Sequence, residues 1–123
     1  MILADTSVWI SHFRSPHLHL QTLLSAELVL MHPFVIGEIS CGNLPRRGEA
    51  LGWLRRLPLV PMAGNQEVME LIERRRLWGR GIGWVDAHLL ASALLTRCRL
   101  WSFDQQLQAA AHFLNIDYRQ ALV

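Results

Sequence analysis

Short apolar runs alternate with longer helical patterns along this chain of 123 residues. The first run, residues 2–4, has the length of a buried strand and stops at Asp5, after which a helix is expected to begin near Val8. Alternation of short strands with helices is typical of an α/β architecture. The pattern contains no internal repeat, low-complexity segment or linker, so we predict a single domain over residues 1–123.

Further strands are predicted where short apolar runs end at turn or polar residues. The candidates are residues 28–31, 59–60, 100–103 and 115–118. The second of these is bracketed by Pro58 and Pro61, which restricts it to a short strand. The third ends directly at Asp104.

Helical patterns occupy the intervals between the strands. Pro33 suits the first turn of a helix that carries Glu38 between apolar neighbours, and Asn65 is predicted as the N-cap of a later helix. Residues 79–83 contain three glycines and predict a flexible loop. The apolar stripes of the later helices are Val68, Leu71 and Ile72; Leu89, Leu90, Ala93 and Leu94; and Leu107, Ala110, Ala111 and Leu114.

The composition changes this picture in one respect, which is the nature of the basic residues. The formal net charge is only +2, but all twelve basic residues are arginine. That charge is too small to establish a nucleic-acid partner, but arginine forks bind phosphate and carboxylate bidentately. A composition bias acting on an ordinary solvated surface explains the same observation equally well.

The chain carries no pattern of a membrane protein or of a disulfide-rich protein. No apolar run approaches the ~20 residues that span a bilayer, and no basic leader precedes the first strand, so we expect a soluble cytoplasmic protein with no membrane contact. Cys41 and Cys98 stand in neither a disulfide-framework nor a zinc-ligand spacing. We expect both to be buried free thiols.

Four of the ten acidic residues are embedded in apolar runs or directly abut them: Asp5, Glu38, Asp86 and Asp104. A carboxylate is rarely buried without a compensating partner. Asp5 and Asp104 follow strands and Asp86 opens a helix, which are positions at the edge where open parallel sheets bind ligands. If these acids share one cleft, a divalent cation such as Mg²⁺ compensates them better than arginine does, whereas zinc would call for histidine or cysteine.

Each of these acids also has an ordinary structural explanation. Asp86 in the first turn of a helix stabilises that helix by ~0.5–2 kcal/mol, and Asp5 and Asp104 could each form an Asx-turn or a cap. Glu38 is harder to explain, since Val35, Ile36 and Ile39 surround it. The ordinary explanations require four independent coincidences, so the set argues for chemistry more strongly than its members do.

Four ordered motifs carry a resemblance that spans nearly the whole chain. They are DTSVWI at residues 5–10 after the first strand, IGEI at 36–39, WVDAHLLASA at 84–93 and WSFDQQL at 101–107. Each motif alone is weak, but the ordered set resembles the PIN-domain ribonucleases, specifically the VapC-type toxins of bacterial toxin–antitoxin pairs.

The resemblance implies a three-layer PIN-like fold with a central parallel five-stranded sheet flanked by helices. It implies that Asp5, Glu38, Asp86 and Asp104 are the catalytic acids and hold one or two Mg²⁺ or Mn²⁺ ions. It further implies endonucleolytic cleavage of RNA, a homodimer, and inhibition by a cognate antitoxin protein.

Other residues are candidates for supporting roles. The hydroxyls of Thr6, Ser7 and Ser102 fall where they could support the acids, although single hydroxyls more often form turns or caps. Arg80, in the glycine loop, is the first candidate for a phosphate contact with RNA, with Arg46, Arg47, Arg55 and Arg56 as alternatives. His88 lies two positions past Asp86, on a different helix face, and is expected to be structural.

Two other functions remain open on the sequence. A catalytically silent PIN-like module would bind RNA or a protein and use its acidic pocket to dock an arginine. A small metal-dependent phosphatase would share the chemistry but not the order of the motifs.

Overall fold

A computed structural model describes residues 1–119 of the chain. The elements in chain order are β1 (Ile2–Ala4), α1 (Thr6–Arg14), α2 (Leu18–Ser25), β2 (Val29–Leu30), α3 (Pro33–Ser40), α4 (Arg47–Leu54), α5 (Asn65–Arg75), α6 (Trp84–Thr96), β3 (Arg99–Trp101) and α7 (Gln105–Phe113). The last four residues of the predicted domain lie outside this described part. Within it, every helix is too short or too polar to cross a membrane.

The sheet is parallel and has β1 at its centre. The strand order is β2-β1-β3, and in this register Leu3 pairs with Leu30 on one side and with Leu100 on the other. All three residues of β1 are buried, as expected for the central strand of a parallel sheet. Helices pack against the sheet, with α1 on β1 and α6 on β3. The predicted α/β class is confirmed.

The expected five strands are found as three strands and two single bridges within residues 1–119. Met31 pairs in parallel with Leu59, and Leu100 pairs in parallel with Asp117. Both bridges lie in segments that were predicted as strands, at the two outer edges of the sheet. Pro58 and Pro61 have no N–H to donate, which limits the pairing of the first segment to one bridge.

The chain reverses its direction across the sheet between β1 and β3. It passes from β1 to β2 on one side and then crosses to β3 on the other side of β1. In open parallel sheets such a switch point leaves a crevice at the carboxyl ends of the two strands, where ligands bind. Asp5 follows β1 at this edge, and Ser102, Phe103 and Asp104 follow β3.

Helix α6 contains the longest buried stretch of any helix in residues 1–119. Seven successive residues, from Ala87 to Ala93, are buried, so the helix is surrounded on nearly all sides. A helix in that position has no wide polar face, which explains why its sequence is mostly apolar. Its first turn is less buried and carries Asp86.

The helix ends differ from the sequence prediction in one informative case. Asn65 was predicted as the N-cap of α5, but the cap is Gly64, and Asn65 is the first helical residue. The side chain of Glu67 accepts a hydrogen bond from the Gly64 N–H at 2.9 Å, which stabilises this earlier start. The structure also contains α2 and α4, which were not predicted as helices, although Leu20, Leu23 and Leu24 form an apolar stripe in α2. Of the two cysteines expected to be buried, Cys98 is buried, but Cys41, at the end of α3, is exposed.

Candidate active site

Four separate segments of the chain supply the four predicted acids. Asp5 follows β1 and is the N-cap of α1, Glu38 lies in α3, Asp86 lies in the first turn of α6, and Asp104 is the N-cap of α7. Asp5 accepts a hydrogen bond from the Val8 N–H at 3.3 Å, and Asp104 accepts one from the Leu107 N–H at 2.9 Å. The capping role and the approach of these acids to one another are therefore compatible.

Asp5 is the buried member of the set and is held by two serines. Ser7 Oγ donates to Asp5 Oδ1 at 2.5 Å, and Ser102 Oγ donates to Asp5 Oδ2 at 2.7 Å. Burial raises the pKa of Asp5, the hydrogen bonds from Ser7, Ser102 and Val8 oppose that rise, and the carboxylate of Asp86 adds to it. The side chain is thus fixed in position but is poorly compensated as an anion.

The same two serines attach the segment after β3 to Asp5. Ser7 Oγ accepts a hydrogen bond from the Phe103 N–H at 2.9 Å, and Ser102 Oγ accepts one from the Asp104 N–H at 2.9 Å. Each hydroxyl therefore accepts a hydrogen bond from a backbone N–H in the segment after β3 and donates one to the carboxylate of Asp5, which follows β1. This pairing of β1 and β3 ends determines where Asp104 begins α7.

Asp86 lies within electrostatic range of the other three acids. Its Oδ2 accepts a hydrogen bond from the Gly83 N–H at 3.1 Å, which fixes it in the first turn of α6. Partial burial raises the pKa of Asp86, the Gly83 hydrogen bond lowers it, and the carboxylates of Asp104 and Glu38 raise it again. Asp86 thus interacts with each of the other three acids.

Glu38 lies at the exposed side of the site and is linked to α1 through Thr6. The Thr6 Oγ1 donates to Glu38 Oε1 at 2.7 Å, across 32 positions of sequence. Glu38 and Asp104 are exposed, Asp86 is half-buried, and only Asp5 is buried. The site is therefore open to solvent on the side where a large substrate could approach.

The donor set fits a divalent cation, although the acids are not closed around an ion position. Both salt bridges found in residues 1–119 involve Asp117, so no arginine or histidine in that range neutralises the four acids. Carboxylate oxygens are the ligands that Mg²⁺ and Mn²⁺ prefer. In the same part of the chain, no three His, Cys, Asp or Glu side chains lie close enough together to hold a metal ion.

The glycine loop before α6 holds Arg80 on α7 rather than on the acids. Arg80 Nε donates to the Arg76 carbonyl at 3.0 Å, and its guanidinium lies 4.0 Å from the centre of the Phe113 ring. Gly81 has a φ of +75°, and a Cβ there would lie 2.9 Å from Gln106 Cγ. Glycine is therefore required where the loop contacts α7. Arg80 has no hydrogen bond or ion pair with the four acids within residues 1–119.

His88 is buried in the core beside the site. Its ring packs edge-on against Trp84 and Phe34, with ring centres 4.6 and 4.8 Å apart. Burial lowers the pKa of His88, so the ring is neutral at physiological pH. This placement agrees with the structural role expected from the sequence.

The sequence analysis did not predict one contact at the site. This contact is the hydrogen bond from the Gly83 N–H to the Asp86 carboxylate. The signal was present as a glycine followed three positions later by an acid, a spacing in which the acid side chain reaches the N-cap N–H. Gly64 and Glu67 have the same arrangement at the start of α5. The Gly83–Asp86 pair therefore marks the start of α6 at the same time as it fixes the acid.

The chain is similar to known proteins in sequence and in fold. It matches the PIN domain family over residues 2–113. Ribonuclease VapC32 of Mycobacterium tuberculosis, found in two strains, is 47% identical over 111 residues, which cover 89% of this chain and 90% of the relative. The crystal structure of PAE2754 from Pyrobaculum aerophilum matches 94% of this chain and 88% of that one with a TM-score of 0.61. At 14% sequence identity, this second likeness concerns the fold alone.

Proposed function

This chain belongs to the PIN-domain family and is of the VapC ribonuclease type, and on that premise we propose that it is a divalent-metal-dependent endoribonuclease. We further propose that it acts as the toxin of a toxin–antitoxin pair. The observation that carries the proposal is the convergence of Asp5, Glu38, Asp86 and Asp104 on one edge of the sheet, with no cation from residues 1–119 to neutralise them.

We assign the catalytic and metal-binding roles to these four acids. They would hold one or two Mg²⁺ or Mn²⁺ ions, which when bound lower the pKa of a coordinated water and neutralise charge on the leaving oxygen of a phosphodiester. Asp5 is held rigidly by two serine hydroxyls, and Asp86 is held by the start of α6. The raised pKa values of Asp5 and Asp86 support the assignment, because a bound cation stabilises the ionised forms that burial disfavours.

Thr6, Ser7 and Ser102 are proposed as positioning residues. Each donates its hydroxyl proton to one of the acids, so each fixes the direction in which a carboxylate oxygen is presented. Outer hydrogen-bond partners of this kind typically change metal affinity or activity by ~10–100-fold. Arg80 is proposed to contact an RNA phosphate, for which its guanidinium would have to leave the face of Phe113.

The wider features of the proposal follow the family. We propose one PIN domain of three layers over residues 1–123, a cytoplasmic homodimer, RNA as the substrate and a cognate antitoxin protein as the inhibitor. The 47% identity to Ribonuclease VapC32 supports the RNA substrate, since that relative is named as a ribonuclease.

The proposal is tested by cleavage of single-stranded RNA with the purified protein. We expect cleavage with Mg²⁺ or Mn²⁺, none with EDTA, and a loss of at least about 100-fold in Asp86→Asn, since loss of an outer partner alone typically causes ~10–100-fold. Glu67→Gln is the matched control. It removes the charge of the corresponding acid in the first turn of α5, where the side chain also accepts from a glycine N–H. The proposal fails if Asp86→Asn cleaves as fast as the parent.

A second function, a silent module that binds RNA or protein, is favoured by one observation. No three acidic, histidine or cysteine side chains in residues 1–119 are close enough together to hold an ion. Tight binding of RNA with no divalent-dependent cleavage, equal in the parent and in Asp86→Asn, would support that function instead.

A further inference from the structure

A cavity of about 510 Å³ lies beside the segment that carries Asp104. Its volume is within the range of ~300–1,000 Å³ that is typical of small-ligand sites. The side chains that matter for its chemistry are Trp101, Phe103, Gln105, Gln108 and Tyr118. None of the four proposed catalytic acids lines it.

The cavity presents a partly exposed aromatic ring, that of Phe103, which packs against the ring of His17 at 5.6 Å as well as against Trp101. Phe103 is 41% exposed, and its ring contacts that of Trp101 edge-on at 5.7 Å. Trp101 is itself buried and packs against Tyr118 at 5.6 Å. An exposed ring on a rigid support is suited to stacking with another flat ring, because little conformational freedom is lost on contact.

The polar groups of the cavity include a free amide and a carboxylate that is already paired with a cation. Gln105 is exposed, and its amide has no hydrogen-bond partner among residues 1–119, so it can both donate and accept. The carboxylate of Asp117 is engaged by Arg119 Nε at 2.8 Å and lies 3.3 Å from His112 Nδ1. The lining therefore offers an anionic polymer no free carboxylate among these residues.

Ser102 lies between the cavity and the acidic site and contacts both. Ser102 donates its hydroxyl to Asp5, while its carbonyl accepts a hydrogen bond from Gln108 Nε2 at 2.5 Å on the side of the cavity. Asp104 is in extended conformation between Phe103 and Gln105. Successive side chains of extended backbone point to opposite sides, which separates the acid from the ring that precedes it.

We propose that this cavity is a subsite for a nucleobase of the RNA strand that is cleaved at the acidic site. The base of the nucleotide next to the cleaved phosphodiester stacks on Phe103, and the Gln105 amide hydrogen-bonds its edge. This inference rests on the proposed ribonuclease function and gives that site a means of selecting among bases. A base is favoured over other occupants because the cavity combines a supported ring and a free amide one residue away from an acid of the cleavage site.

The stacking contact is tested by binding, in an Asp86→Asn background that prevents cleavage. The probes are a short single-stranded oligoadenylate and an abasic oligoribonucleotide of the same length. Phe103→Leu is expected to weaken oligoadenylate binding by about 10- to 100-fold and to leave abasic binding unchanged, as loss of base stacking predicts. Trp53→Leu is the matched control, since Trp53 is 40% exposed and does not line the cavity. Equal losses for both probes, or none for either, would overturn the inference.

The amide contact is tested by the bases found next to cleaved bonds. Gln105→Ala should leave affinity for the abasic probe unchanged but reduce the base preference at one position flanking the cleavage site of mixed-sequence RNA. An unchanged preference would refute the role of Gln105. Absence of cleavage by the parent would refute the ribonuclease proposal, whereas cleavage that is indifferent to both Phe103→Leu and Gln105→Ala would refute the subsite alone.

Discussion

Asp5 and Asp86 differ in what surrounds them, and substitution by asparagine should have opposite effects on stability. Asp86→Asn keeps an oxygen to accept from the Gly83 N–H and removes one of several repelling charges. Asp5→Asn turns an amide N–H₂ toward Ser7 or Ser102, whose hydroxyls already donate to that position.

We therefore expect Asp86→Asn to raise the free energy of unfolding in the absence of divalent metal, and Asp5→Asn to lower it by about 1–3 kcal/mol, the usual effect of an unsatisfied buried group. Urea unfolding in EDTA measures both. A loss of stability in Asp86→Asn would contradict the idea that the acids repel one another in the free protein.

Thr6 should act on catalysis through Glu38. Thr6→Val removes the hydroxyl that donates to Glu38 Oε1 but keeps the shape of the side chain. We expect RNA cleavage to fall by about 10–100-fold, as for other partners that orient a ligand, and Thr6→Ser to retain most of it. Initial cleavage rates at saturating Mg²⁺ measure the effect. A loss in Thr6→Ser with none in Thr6→Val would indicate that the Thr6 methyl group, rather than its hydroxyl, is what matters.

His32 should make the fold sensitive to acid. It is fully buried, and burial together with the neighbouring His88 lowers its pKa to about 4. An unfolded histidine titrates near ~6.5, so between these pH values the unfolded chain binds a proton that the folded chain does not. The stabilisation is complete above pH ~6.5 and is lost as the pH falls toward 4, by up to about 3 kcal/mol.

The contribution of His32 is measured by urea unfolding at several pH values in the parent and in His32→Asn. Asparagine keeps an acceptor for the Phe34 N–H, which His32 Nδ1 now binds at 2.9 Å, but it does not titrate. We expect a shallower loss of stability below pH ~6.5 in the variant, whatever its stability at neutral pH. If the free energy of unfolding falls with pH equally steeply in the parent and in His32→Asn, the acid sensitivity would be assigned to His88 or His12, whose pKa values are also lowered by burial.

The four candidate acids could be singled out from the sequence because that selection depends on local context. Each stands in or beside an apolar run, and that is visible without a fold. The partners of the acids could not be assigned in the same way. Ser102 meets Asp5 across 97 positions, and Thr6 meets Glu38 across 32, and only the pairing of β1 with β3 and the packing of α1 on α3 bring them together.

At the scale of elements, tertiary contacts rather than intrinsic propensities determine where some helices and strands begin and end. Asn65 is a better intrinsic cap than glycine, yet α5 begins after Gly64 because Glu67 binds that N–H. The outer strands were placed in the right segments but shrink to single bridges, since strand length depends on a partner edge that the sequence does not describe. Core strands β1, β2 and β3 were predicted to within two residues at each end.

The end of α6 gives a prediction for stability. Arg97 closes this helix with a φ of 56°, in the left-handed region where a Cβ is unfavourable. Arg97→Gly should raise the free energy of unfolding by about 1 kcal/mol, because glycine adopts this conformation without strain. The matched control is Arg74→Gly, within α5, which should lower it by about 1 kcal/mol. Destabilisation by both would mean that the Arg97 side chain makes a contact that outweighs the strain.

At the scale of the whole molecule, the sheet topology makes one site out of residues that are distant in sequence. The switch of direction between β1 and β3 brings Asp5 to the end of one strand and Asp104 to the end of the next, and α3 and α6 add Glu38 and Asp86. The order of the motifs in the sequence was enough to expect this convergence. It was not enough to expect the cavity beside Asp104, which requires residues 117–119 to return to the edge of β3.

That convergence predicts that divalent metal stabilises the entire fold. A cation that binds the folded protein alone adds RT ln(1 + [L]/Kd) to the free energy of unfolding, about 2.7 kcal/mol at one hundred times Kd. We expect Mg²⁺ or Mn²⁺ to raise the unfolding temperature of the parent and of Glu67→Gln equally. The effect should be much smaller in Asp86→Asn, whose acids repel less and bind less. Equal shifts in all three proteins would indicate that the metal binds away from the four acids. No bound cation would then offset the repulsion among them.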